Sequence, residues 1–71
     1  MKLRSNLKTV IENSENPNLS LRQLARDIDY RFESVRQMHK DKLERYPKDL
    51  LLKLCEYFNV PISKLLILVE D

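Results

Sequence analysis

The chain has 71 residues, of which 42% are hydrophobic and 34% are charged, with no glycine and a formal net charge of +2. A chain this short buries only about 60% of the surface that its unfolded form exposes, so it makes at most one small domain and excludes a large enclosed active site. The weak positive charge neither requires nor excludes a polyanionic partner.

The positive charge is concentrated in the middle of the chain. Residues 20–48 contain eight lysines and arginines against five acidic residues, a net charge of +3, whereas residues 49–71 carry a net charge of −2. A basic centre of this size is compatible with nucleic acid as a partner.

Cysteine usage and hydropathy indicate a compartment. The single cysteine, Cys55, has no partner for a disulfide and cannot build a zinc site alone, so we interpret it as a small core residue in a reducing environment. The N-terminus lacks the apolar stretch of a signal peptide, and the longest apolar run, residues 65–69, is too short to span a membrane. We therefore expect a soluble cytoplasmic protein.

The composition predicts an all-α fold. The absence of glycine and the presence of only three prolines argue against a β architecture rich in turns. Leu3, Leu7, Val10 and Ile11 recur at helical spacing and predict a first helix over residues 2–13. The polar stretch around Pro17 then ends this helix.

The second and third helices are the clearest in the chain. Ser20 is a good N-cap, and Gln23 three residues later completes a capping-box pattern. The apolar residues that follow at helical spacing are Leu21, Leu24, Ala25 and Ile28. The next apolar set is out of phase with this one, so we predict a turn at Asp29, in the left-handed conformation, and a third helix over residues 31–40.

Two further helices complete the prediction. After a charged connector over residues 41–46, Pro47 favours the start of a fourth helix near its own position. The broad apolar face of this helix consists of Leu50, Leu51, Leu54, Cys55 and Phe58. Asn59 marks its end, and Pro61 opens a short fifth helix that runs through Leu66.

The second and third helices form a predicted helix-turn-helix over residues 20–39. The small Ala25 in the first of the two and Val35 in the second permit a close crossing of their axes. A helix presented in this way projects from the surface and enters a DNA major groove, which is about 12 Å wide. The pattern therefore predicts a DNA-binding domain.

At this point the sequence resembles a known family. The segment LSLRQLARDIDYRFESVRQM resembles the helix-turn-helix signature of the lambda-repressor and Cro-like regulators, the XRE family, and DLLLKLCEYFNVPISKLL is similar to the fourth and fifth helices of its compact single-domain members. The resemblance implies a single lambda-repressor-like domain over residues 1–71 that acts as a transcriptional regulator. Three residues depart from the usual pattern of the family. Asp29 stands where the family has its turn glycine, Leu21 where it has a phosphate-binding glutamine, and His39 where it has a glutamate at the end of the recognition helix.

The resemblance also implies which residues face DNA. The residues that it places against base edges are Arg31, Phe32, Glu33, Arg36 and Gln37. By chemistry, Gln37 suits adenine, Arg31 or Arg36 guanine or a phosphate, Glu33 a cytosine amino group and Phe32 a thymine methyl. The residues that it places against the DNA backbone are Ser20, Arg22, Gln23, Lys40, Lys42, Arg45 and Lys48.

Other readings of single residues stay open or are excluded. Phe32 precedes Val35 by three positions, so it is either a core residue or a groove contact. His39 has no second His or Cys to complete a metal site, and Cys55 lies on an apolar helix face where a thiol is inert. We expect no catalysis, cofactor, metal or small-molecule ligand.

Surplus apolar residues indicate self-association. The residues that exceed what one small core needs are Leu50, Leu52, Ile67, Leu68 and Val69. They predict a homodimer joined through the fifth helix and a tail over residues 67–71, because two copies reading two half-sites gain affinity and specificity. The alternative is a monomer whose tail folds back over its own core.

The leading hypothesis is a sequence-specific duplex-binding regulator, a repressor, that uses the third helix in the major groove. The competing hypothesis is a protein-interaction module of the same fold, an antirepressor or an antitoxin-type partner, and Leu21 together with an exposed Phe32 would favour it.

Overall fold

The computed structural model describes residues 1–70, which form five helices and one two-stranded sheet. In chain order the elements are β1 (Lys2–Ser5), α1 (Leu7–Glu12), α2 (Leu21–Asp27), α3 (Phe32–His39), α4 (Lys48–Phe58), α5 (Ile62–Leu65) and β2 (Leu66–Val69). The domain is mostly helical, as predicted, but the sheet corrects the all-α description.

The strand β1 replaces the first half of the predicted first helix. Residues 2–5 contain a single apolar side chain, Leu3, so the position of this strand follows from its pairing with β2 rather than from an apolar period. Asn6 ends the strand, because its backbone N–H donates to the Leu65 carbonyl (2.8 Å) and its side-chain amide donates to the Lys64 carbonyl (2.9 Å). The helix α1 therefore begins only at Leu7 and ends at Glu12, near the predicted end.

The strand β2 occupies most of the predicted C-terminal tail. The antiparallel register places Lys2 opposite Val69, Leu3 opposite Leu68, Arg4 opposite Ile67 and Ser5 opposite Leu66. Residues 67–69 are thus paired through one edge of β2 with β1 of their own chain, because antiparallel pairing satisfies backbone N–H and C=O groups that no longer belong to a helix after Leu65. Residue 71 of the predicted tail lies outside the described residues.

Local signals place α2 and α3 within two residues of their predicted bounds. The Ser20 hydroxyl accepts a hydrogen bond from the Gln23 backbone N–H (3.1 Å), as a helix N-cap does. Asp29 has a φ of 54°, in the left-handed region, and the Tyr30 N–H closes the turn on the Ala25 carbonyl (2.9 Å). The turn predicted at Asp29 is present.

The helices α4 and α5 also begin and end near the residues that the sequence predicted. Pro47 and Pro61 directly precede them, and Asn59 ends α4 with a φ of 54°. The buried residues of the described chain form one core: Leu7, Val10, Ile11, Leu24, Ala25, Ile28, Val35, Met38, Leu50, Leu54 and Leu65.

One prediction for α4 is corrected by this core. Leu50, predicted at a dimer interface, is fully buried one turn before Leu54 on the inner face of the helix and presents no surface to a second copy. Cys55, predicted as a small core residue, is half-buried and packs against this core, and burial raises the pKa of its thiol.

Candidate nucleic-acid interface

The helix α3 is held by its inner face. Val35 and Met38 are fully buried there, where α3 packs against α2 and α1. The helix α4 braces the turn before α3, since the Lys53 ammonium donates to the Ile28 carbonyl (3.1 Å) and the Tyr30 hydroxyl donates to Asp49 (3.3 Å). This support fixes the orientation of α3 and leaves its outer face open.

The five residues predicted to face bases all lie on α3 or directly before it. Arg31 is the exposed N-cap of the helix, and Glu33 is exposed. Arg36 and Gln37 are half-buried. The structure therefore brings these side chains to one end and one outer face of a single helix, which suits insertion into a groove.

Three of these residues are bonded to one another. The Glu33 carboxylate accepts hydrogen bonds from Arg36 through Nε (3.1 Å) and Nη2 (2.5 Å) and from the Gln37 amide (2.8 Å). The Arg36 bonds, followed by the Gln37 bond, lower the pKa of Glu33 to about 2. Glu33 is thus ionised near neutral pH, neutralises the charge of Arg36 and holds Gln37 by its amide nitrogen.

Phe32 has the core contact that was one of the two roles the sequence left open. Its ring is half-buried and packs against the core at the start of α3. The guanidinium of Arg22, on α2, lies over the same ring at 4.5 Å from its centroid. Leu21 is also half-buried against the core, so neither residue is the exposed apolar side chain that would favour a protein-interaction module.

The residues predicted to contact the DNA backbone are exposed: Ser20, Arg22, Gln23, Lys40, Lys42, Arg45 and Lys48. Three of them already have internal contacts, since Ser20 caps α2, the Gln23 amide donates to Asp27 (2.7 Å) and Arg22 lies over the Phe32 ring. Within residues 1–70, the side chains of Lys40, Lys42, Arg45 and Lys48 form no ion pair. Their charge is therefore available to an anion.

Sequence reasoning missed the role of Asp41, which follows α3 with a φ of 59°. Its carboxylate accepts hydrogen bonds from the Ser5 backbone N–H (2.8 Å), the Arg4 guanidinium (3.3 Å) and the Tyr46 hydroxyl (3.3 Å). The bond from Ser5 is the main cause that lowers the pKa of Asp41. Asp41 thereby ties β1 to the connector that carries Lys42, although no local sequence pattern relates residues 36 positions apart.

Other features of the described chain point to no second kind of site. His39 is half-buried, and burial followed by the charge of Lys8 lowers its pKa. In residues 1–70, no group of three His, Cys, Asp or Glu side chains is placed to hold a metal ion. None of the helices in that range has the length and apolar character needed to cross a bilayer.

Comparison with known proteins gives one match. The family model described as Cro/C1-type HTH DNA-binding domain matches residues 15–71, a range that includes all of α2, α3, α4 and α5. No curated protein matches the chain, and no solved structure matches it. The match confirms the resemblance that the sequence suggested.

Proposed function

This chain belongs to the Cro/C1-type helix-turn-helix DNA-binding domains, and from that premise we propose that it is a transcriptional repressor that binds a specific duplex sequence with α3 in the major groove. The observation that carries the proposal is the outer face of α3, which presents Arg31 and Gln37 and is followed along the chain by Lys40, Lys42, Arg45 and Lys48, none of which forms an ion pair within residues 1–70. Occupying a promoter is enough to block transcription, so a repressor needs no surface beyond the one that binds DNA.

We propose that base reading depends on the start and middle of α3. Arg31 is free to donate two hydrogen bonds to guanine, and Gln37 can bond an adenine edge. The carboxylate of Glu33 keeps the Gln37 amide and the Arg36 guanidinium in place before DNA arrives. In this arrangement Glu33 reads cytosine only where one of those internal bonds is exchanged for a base contact.

Backbone binding is proposed for the basic residues around α3. Lys40 follows the helix, Lys42 and Arg45 lie in the connector, and Lys48 begins α4. Such contacts fix the register of a protein on the duplex without reading its sequence. They also release counterions, so they make the affinity depend on salt.

One observation favours a second candidate, a protein-interaction module of the same fold that serves as an antirepressor or an antitoxin-type partner. The ion pair between Glu33 and Arg36 removes a net positive charge from the centre of the α3 face. An interaction module would bind another protein there and show weak or no affinity for any duplex.

The proposal predicts specific duplex binding with a steep salt dependence. In a titration, the chain should bind the DNA upstream of its own gene more tightly than it binds an unrelated duplex. The logarithm of the affinity should fall with the logarithm of the salt concentration, with a slope of about 0.9 per neutralised phosphate.

Gln37→Ala should weaken binding to the preferred duplex by about tenfold while leaving other duplexes nearly unaffected. Lys42→Ala should instead weaken all duplexes alike and reduce the salt slope by about one.

The same titration separates the two candidates. Failure to bind any duplex at low salt would eliminate the repressor and leave the interaction module. Equal effects of Gln37→Ala and Lys42→Ala on specific and unrelated duplexes would contradict our division into base and backbone contacts. For a repressor, transcription from a promoter that carries the bound duplex should fall as the chain is supplied.

We further propose that the repressor is a homodimer joined through the outer edge of β2. No other strand of the described chain pairs with that edge, and β2 carries no charged residue to guard it. Leu68 is 66% exposed, and Leu3 directly opposite is 47% exposed, so an apolar surface adjoins the edge. Leu52, Ile67 and Val69 remain in this proposal, whereas Leu50 does not.

Light scattering after size exclusion tests the dimer. The parent chain should have about twice the monomer mass of 8.5 kDa, and Leu68→Lys should have the monomer mass because it places a charge at the edge. Thr9→Lys, which adds the same charge on the exposed side of α1, should remain dimeric. A parent with the monomer mass, both free and on DNA, would rule out the dimer.

A further inference from the structure

A contact between α2 and α3 joins two residues that the sequence placed in separate classes. Arg22 is the second residue of α2, and Phe32 is the first residue of α3. The guanidinium carbon of Arg22 lies 4.5 Å from the centroid of the Phe32 ring. The ring is half-buried and anchored against the core, whereas Arg22 is exposed.

This contact holds the arginine without using its hydrogen-bond donors. A cation over an aromatic face is attracted by the ring quadrupole, and the N–H groups of the guanidinium stay unused. Within residues 1–70, the Arg22 side chain has no carboxylate partner. Its full charge and its donors are therefore free for an anion.

Two other arginines of the described chain are held differently. The guanidinium of Arg36 is occupied by the Glu33 carboxylate, and that of Arg4 is occupied by Asp41. In both cases a negative charge fixes the side chain and also neutralises it. Phe32 is a neutral support, so Arg22 is restrained and keeps its charge.

We propose that Phe32 positions Arg22 to bind one phosphate of the DNA backbone, rather than contacting a thymine methyl itself. This inference rests on the proposed DNA binding and deepens it. In a helix-turn-helix the helix before the recognition helix crosses the DNA backbone, which brings the first turn of α2 near a phosphate when α3 lies in the groove. Guanidinium and phosphate form paired hydrogen bonds, and a restrained arginine loses less freedom on forming them.

The pairing makes the effects of the two residues interdependent. Arg22→Ala should weaken binding to every duplex by about tenfold and make the salt slope shallower by about 0.9, the share of one phosphate. Phe32→Leu keeps an apolar side chain but removes the ring face, so it should weaken every duplex by about threefold. In the Arg22→Ala background, Phe32→Leu should have no further effect, because its consequence passes through the arginine.

Two controls separate positioning from loss of structure. Phe32→Tyr retains the ring and should bind DNA as the parent does, which Phe32→Leu should not. Arg26→Ala removes the same charge from the same helix at an exposed residue outside the ring contact, and the salt slope should stay at the parental value. Thermal unfolding of each variant identifies any loss of DNA affinity that follows from unfolding.

The experiment is a fluorescence titration of the full chain and these variants with the preferred duplex and with duplexes that carry uracil in place of each thymine. Uracil lacks the methyl group, so it isolates a thymine contact. The positioning role would be overturned if the effects of Arg22→Ala and Phe32→Leu on affinity multiplied in the double variant. It would also be overturned if one uracil duplex bound the parent more weakly but bound Phe32→Leu without that loss. In both cases the DNA-binding function would stand. Absence of binding by the parent to any duplex would overturn both.

Discussion

Leu50→Ala is expected to lower the free energy of unfolding by about 2–5 kcal/mol, the range for truncating a large buried aliphatic side chain. Leu50 is fully buried in α4 within the one core of the described chain. A loss of this size is a large part of the total stability of a small domain, which is about 5–15 kcal/mol for proteins in general. The melting temperature should fall by about 10 °C or more, as followed by circular dichroism.

Leu52→Ala is the matched control, because it removes the same atoms from a side chain of α4 that is 58% exposed. Its effect on the unfolding of the monomer should stay within about 0.5 kcal/mol. The two residues were both predicted at a dimer interface, so the comparison separates core from surface. If Leu50 were an interface residue, the loss of unfolding free energy in Leu50→Ala would become smaller when the protein is diluted to the monomer. Equal effects of Leu50→Ala and Leu52→Ala would contradict the place of Leu50 in the core.

The helix-turn-helix could be predicted closely because its signals are local. Ser20 caps α2 with a bond to the backbone of Gln23 three residues away, and Asp29 takes the left-handed turn itself. The apolar periods of α2 and α3 differ in phase, and each period places a buried residue, Leu24 or Val35, on the inner face of its own helix. Each of these features depends on residues within one or two helical turns.

The sheet could not be predicted in the same way. Its strands have four residues each, and they pair residues more than 60 positions apart. The lack of glycine argued against strands only on the assumption that tight turns join them. Because β1 and β2 lie at opposite ends of the chain and the helices connect them, this sheet needs no hairpin turn.

In the candidate site, too, contacts between residues close in sequence could be predicted, whereas contacts between different helices could not. The bonds of Glu33 with Arg36 and Gln37 join residues three and four positions apart, the spacing at which helix side chains meet, so the sequence contained that information. The stacking of Arg22 on Phe32 depends on how α2 and α3 cross, which periodicity alone does not give. Which face of α3 is exposed was predictable, whereas which of its side chains are restrained was not.

Asp41→Asn is expected to lower the free energy of unfolding at neutral pH by about 1.5 kcal/mol, the lower end for hydrogen bonds that involve a charged group. The carboxylate holds the Ser5 N–H, the Arg4 guanidinium and the Tyr46 hydroxyl, and its side chain is only 30% exposed. Asparagine tolerates the positive φ at this position and keeps one acceptor oxygen. The substitution therefore removes the charge while sparing the backbone conformation.

The dependence on pH separates this charge from the other carboxylates of the chain. Because the folded pKa of Asp41 lies below its usual value of 3.8, its stabilising effect is complete above that value and is lost as the pH falls through the folded pKa. The folded pKa of Glu33 is also lowered, to about 2, but Glu33 is present in both proteins and cancels in their difference. Urea unfolding of parent and Asp41→Asn should thus give a stability difference that is constant from pH 7 to 5 and shrinks below pH 3.8. A difference that persists unchanged at pH 2 would mean that the shape of the side chain, rather than its charge, ties β1 to the connector after α3.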